Sequence, residues 1–153
     1  MNQSRRNALR SISLVGLALS SSMFGSLSAF GAEWKQKNFE AKTLEDTLKE
    51  LGVDKYTMSS EVAVNGAEIA ENGAVVPISV SSNLPNTEYM AILVEKNPNP
   101  LCIAFNIPEG TEAAITTRVK MGGTSNVYAI AKSDGKWFAA KKEIKVTLGG
   151  CGG

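Results

Sequence analysis

From Ser60 onward the chain alternates apolar and polar residues in short runs, each stopped by turn-forming residues. A period of two puts every second side chain on one face of a strand, whereas helical faces repeat every 3.6 residues, so these segments are written for sheet. Val76, Ile78 and Val80 point one way while Pro77, Ser79 and Ser81 point the other. Pro77 has no N–H for a ladder, which predicts that this strand lies at an edge. After Asn83-Leu84-Pro85-Asn86, the run from Tyr89 to Glu95 is almost wholly apolar and reads as a central strand; Asn97-Pro98-Asn99-Pro100 then breaks the chain. Leu101, Ile103, Phe105 and Ile107 form the next predicted inward face, and Ile115, Thr117, Val119 and Met121 another. Val127 to Lys132 and the run from Lys136 flank Asp134-Gly135, a dipeptide suited to a tight hairpin turn. The last run turns Ile144, Val146 and Leu148 inward.

With Glu61 to Asn65 included, about seven strands recur at spacings of roughly 8–15 residues, the pattern of an all-β, immunoglobulin-like antiparallel β-sandwich. One short stretch before them reads as helix. Thr43 can cap it with Asp46 three residues on, Leu44, Leu48 and Leu51 share a face, and Gly52 ends it. The predicted organisation is a leader over residues 1–32, the helix plus sandwich over 33–148, and a glycine-rich arm over 149–153.

The leader reading rests on paired arginines, Arg5-Arg6, followed by Leu9 and Arg10 and then an uncharged, moderately apolar run from Ser11 to Ala32. This layout is similar to twin-arginine export signals, with small residues at Ala29, Gly31 and Ala32 for cleavage. A membrane anchor is the alternative, because the run is long enough to span a bilayer, but serine and glycine dilute its hydropathy. Of the 16 basic residues, removing Arg5, Arg6 and Arg10 leaves 13 against 15 acidic ones, a net charge of about −2. Such a balance gives no basic patch for nucleic acid or an anionic membrane. The remaining length suits one domain.

The chain has no histidine. That excludes a Ser-His-Asp or Cys-His centre within it and removes the commonest metal ligand. No metal-ligand spacing and no phosphate-cradling loop is present; Gly122-Gly123 joins two strands. Glu45, Asp46 and Glu50 fall on the solvated side of the helix, so an enzyme acting by itself is not expected.

What remains is sulfur. Cys151 sits within Gly149-Gly150-Cys151-Gly152-Gly153, and four glycines around one cysteine predict a flexible arm carrying an exposed thiol. Nothing nearby lowers its pKa below the ~8.5 of a free thiol, so activation must come from whatever protein receives it. For Cys102, a small, largely buried thiol and a disulfide to Cys151 both remain open. Two other functions compete with a carrier. An exported sandwich-type binding or assembly module, its terminal cysteine forming intermolecular disulfides, leaves the glycines unexplained, and a thiol-disulfide oxidoreductase lacks its Cys-x-x-Cys pair.

The pentapeptide around Cys151 after Lys145-Val146-Thr147-Leu148, the twin-arginine leader and Asn97-Pro98-Asn99-Pro100-Leu101 together resemble the sulfur-carrier Y subunits (SoxY) of the Sox thiosulfate-oxidation system. The resemblance implies a periplasmic, cofactor-free carrier with Cys151 as the covalent sulfur-carrying residue and Gly149, Gly150, Gly152 and Gly153 as its arm. It further implies a heterodimer with the Sox Z subunit, itself a sandwich. The enzymes it implies are a c-type cytochrome that conjugates thiosulfate to the cysteine and a hydrolase that releases sulfate.

Overall fold

The computed structural model describes residues 36–147. The expectations for the leader, for Leu148, for Cys151 and for its four glycines lie outside these residues. Two helices come first, α1 (Lys37–Glu40) and α2 (Leu44–Glu50). The second has the predicted ends. The Asp46 N–H donates to Thr43 Oγ1 at 3.1 Å while the Thr43 hydroxyl donates to the Asp46 carboxylate at 2.8 Å. At the other end Gly52 takes φ +76°, its N–H donates to Lys49 O, and the Val53 N–H donates to Leu48 O. This is the double closure that a glycine just past a helix allows, and Leu48 and Val53 pack into one cluster beside it.

Nine strands follow: β1 (Thr57–Met58), β2 (Val62–Gly66), β3 (Ile69–Ala70), β4 (Val76–Ser82), β5 (Thr87–Val94), β6 (Leu101–Asn106), β7 (Ala114–Val119), β8 (Ser125–Ser133) and β9 (Lys136–Val146). They form two sheets, β1-β9-β8-β5-β6 with β3 also on β9, and β2-β4-β7. The sheets face each other as the expected sandwich. Val62, Val76, Ile78, Val80 and Val119 of the smaller sheet pack with Met90, Ile92, Val94, Val127, Ala129, Ala131 and Ile144 of the larger. The pairings are antiparallel except for β1 and β3, two-residue strands that run parallel to β9.

The larger sheet is buried on its outer face as well. Ala91, Leu93, Tyr128, Ile130 and Ala139 point away from the sandwich and cluster with Leu48 and Val53, with Leu44 and Leu51 packed against them. That explains why β5 reads as one apolar run. Met90 through Val94 are all fully buried, alternate residues entering opposite cores. β4 keeps the one-sided alternation that the sequence predicts.

Two expectations are corrected. β4 is central in its sheet, between β2 and β7. Pro77 fits there because the β2 ladder ends at the pair Gly66–Ile78, leaving Pro77 opposite Arg118 of β7 alone. The second correction concerns β6. Ile92 lies opposite Ile103 but Leu93 lies opposite Leu101, so Cys102 is an extra residue in a β-bulge. The bulge changes which face each neighbour meets: Leu101 joins the outer cluster while Ile103 packs on the sandwich core, and Phe105 stays 38% exposed. At the β8–β9 hairpin, Asp134 (φ 47°) and Gly135 (φ 73°) take the predicted left-handed turn.

Ile92 is fully buried between the sheets, so Ile92→Ala removes side-chain volume from a packed core. Denaturant unfolding should show a loss of about 2–5 kcal/mol. Thr43→Ala removes only the helix cap and should cost about 0.5–2 kcal/mol in the same experiment.

Candidate functional site at the root of the C-terminal arm

The described chain ends just past β9, and each of its last three residues is tied down. The Lys145 N–H donates to Glu68 O at 2.9 Å and the Thr147 N–H to Ala70 O at 3.1 Å, both on or beside β3. Between them the Val146 N–H donates to Thr124 Oγ1 at 3.0 Å, in the connection from β7 to β8. Val146 itself packs against the sandwich core. Donors of three successive residues are therefore satisfied by two other chain segments, which fixes the backbone through Thr147.

Glycine matters at this root in a way unrelated to turns. A Cβ at Gly73 would lie 2.5 Å from Met121 O and 2.8 Å from Val146 Cγ1, so the loop after β3 lies against β9 and the residues just past β7 only because residue 73 has no side chain. The Met121 N–H donates to Gly73 O at 2.7 Å, completing the contact. Asn97 braces the same end. Its Nδ2 donates to Lys120 O at 2.7 Å and its Oδ1 accepts from the Gly122 N–H at 3.1 Å, joining the β5–β6 and β7–β8 connections. In the sequence Asn97 appears only as part of a breaker, because its partners lie more than twenty residues away.

Cys102 is a free, half-buried thiol packed against the sandwich core. Its Sγ donates to Pro100 O at 3.6 Å. Burial pushes the thiol's pKa up, and this outweighs hydrogen bonding from the Val94 backbone and the Asn97 side chain, which pulls it down. A thiol kept protonated in this way is a poor nucleophile, which suits Cys102 to packing. Among the described residues no group of three or more His, Cys, Asp or Glu side chains could hold a metal ion.

The family model described as sulfur oxidation protein SoxY matches residues 48–151, a span that takes in every strand and ends on Cys151. No curated protein sequence matches the chain. Among solved structures, the chain is similar to the sulfur carrier protein SoxY from Chlorobium limicola f thiosulfatophilum. The identity is 27%, the match covers 69% of this chain and 97% of that chain, and the TM-score is 0.64. With the family match running through the sandwich and its braced end to the cysteine itself, this chain belongs to the SoxY family of sulfur oxidation proteins.

Proposed function

We propose that this chain is a periplasmic sulfur carrier that holds thiosulfate-derived groups covalently on Cys151 and presents them in turn to enzymes of the Sox system. The observation that carries this reading is the family match ending on Cys151, four residues beyond the braced Thr147. In the first step the Cys151 thiol and the sulfane sulfur of thiosulfate join in an S–S bond, giving a cysteine S-thiosulfonate. Two electrons pass to a c-type cytochrome and the thiol proton is released. Water then cleaves the bond between the sulfane sulfur and the sulfone, so that sulfate and a proton leave and a persulfide stays on Cys151.

The division of labour follows from the residues. The chain has no histidine to act as a base, and no lysine or arginine lies nearer to Cys151 in the sequence than Lys145, so the receiving enzyme supplies the activating groups. Narrow glycines on both sides of Cys151 let one cysteine enter several differently shaped channels. The partner set of this reading is the Sox Z subunit as a stable companion, with the cytochrome and the hydrolase as visitors.

The arm separates carriage from folding. Replacing Gly149 and Gly150 by valine should change stability by no more than about 0.5 kcal/mol, since both residues follow the last strand. Alkylation of Cys151 by a small reagent should also be unchanged. Thiosulfate-dependent cytochrome reduction in a reconstituted system should fall sharply, because β-branched side chains stiffen and widen the strip that threads each channel. Full turnover with both valines in place contradicts the swinging-arm mechanism. In the same assay Cys151→Ala should abolish turnover and Cys102→Ser should retain it.

A further inference from the structure

We propose that Ile69 and Val75 form an apolar collar on which an enzyme seats the lip of its channel when it takes in Cys151; the inference rests on the carrier reading above. Cys151 lies four positions beyond Thr147, a reach of at most about 14 Å when fully extended. An enzyme that draws the cysteine into a channel must therefore bring the channel mouth against the surface at the end of β9. The backbone donors there are already engaged with Glu68, Ala70 and Thr124, so this surface meets a partner with side chains.

Five large apolar side chains are exposed among the described residues: Tyr56, Met58, Ile69, Val75 and Phe105. Ile69, 56% exposed, lies directly opposite Lys145 in the β3–β9 pairing. Val75, 51% exposed, lies two residues past Gly73, whose backbone rests against Val146, so its Cα is no more than about 7 Å from the Gly73 Cα. Neither belongs to a buried cluster. Their chain neighbours Ala70 and Val76 are the ones that fill the core. The charged groups around them are mixed, with Glu68, Glu71, Lys120 and Lys145 all exposed, which gives no field of one sign for a partner to match. Apolar contact is non-directional, so a small collar can meet the lips of several enzymes and release each of them. The occupant we assign is an apolar lip on the receiving enzyme. A folded-back arm or a second copy of this chain would be detected by the same experiment.

The test uses the full chain together with its Z companion in a Cys102→Ser background, with Ile69→Asp, Val75→Asp and the control Met58→Asp. Met58 is equally exposed at 51% but pairs with Ala139, seven positions along β9 from Val146 and roughly 23 Å away. Ile69→Asp and Val75→Asp should each lower kcat/KM for the carrier in thiosulfate-dependent cytochrome reduction by about tenfold or more, chiefly through KM. Met58→Asp should stay within about twofold of the parent. The rate of Cys151 alkylation by iodoacetamide and the mass by sedimentation should be unchanged in all three. If aspartate loosens the β3–β9 pairing, seen as a lowered melting temperature, Ile69→Thr keeps the branched shape and should shift kcat/KM in the same direction. Parent-like kinetics in Ile69→Asp and Val75→Asp overturn the collar. Faster alkylation overturns it in favour of a folded-back arm, and a fall in mass in favour of a second copy or of the Z companion on that surface. An inactive parent would contradict the carrier reading instead, so the two failures are distinguishable.

Discussion

Burial of the larger sheet on both faces is the constraint from which the rest of the architecture follows. β5 and β8 send alternate residues into two different cores, the sandwich interior and the layer beneath α2. A one-residue slip of either strand would exchange the two sets and place Ala91 where Met90 or Ile92 belongs. The register of β8 against β9 is consequently fixed from the pair Ser125–Ile144 to the pair Ser133–Lys136. Because Ile144 must enter the sandwich, Val146 follows it inward and Thr147 faces out. The place where the chain leaves the sandwich is thus decided by packing that lies mostly elsewhere.

The short parallel strand β3 turns that placement into a fixed mount. A strand of two residues contributes little ladder energy by itself, yet together with Glu68 it accepts hydrogen bonds from β9 on either side of Val146. Gly73 lets the following loop press against the same residue, and Asn97 holds the neighbouring connections in place. Under the carrier function proposed above, such a mount would start the sulfur-bearing arm from the same point for every enzyme.

Features that depend on neighbours in sequence were legible, and those that depend on distant partners were not. The cap at Thr43, the turn at Asp134-Gly135 and the alternation of β4 are local and could be read directly. β1 and β3 are too short to show any period. The bulge at Cys102 breaks a face that local alternation predicts as continuous, because the extra residue is defined only against β5. Pro77 misleads for the same reason, since its tolerance depends on where β2 stops. The candidate carrier cysteine is read from the residues alone, a cysteine among glycines in a chain without histidine, and it lies outside the described residues. The surroundings of the end of β9 could not be read in this way. An exposed Ile69 and a buried Ile144 look alike in one dimension, and Gly73 is one glycine among fourteen until its contact with Val146 is seen.

The central claim is that the sulfur cargo is covalent and sits on one particular cysteine. Peptide mass spectrometry on the protein isolated from cells oxidising thiosulfate addresses it most directly, with and without reductant. The account predicts sulfane or thiosulfonate adducts on the C-terminal peptide containing Cys151, lost on reduction, with the peptide containing Cys102 unmodified because its thiol is half-buried and held protonated. Adducts confined to Cys102, or a C-terminal peptide that never carries additional sulfur, would contradict it.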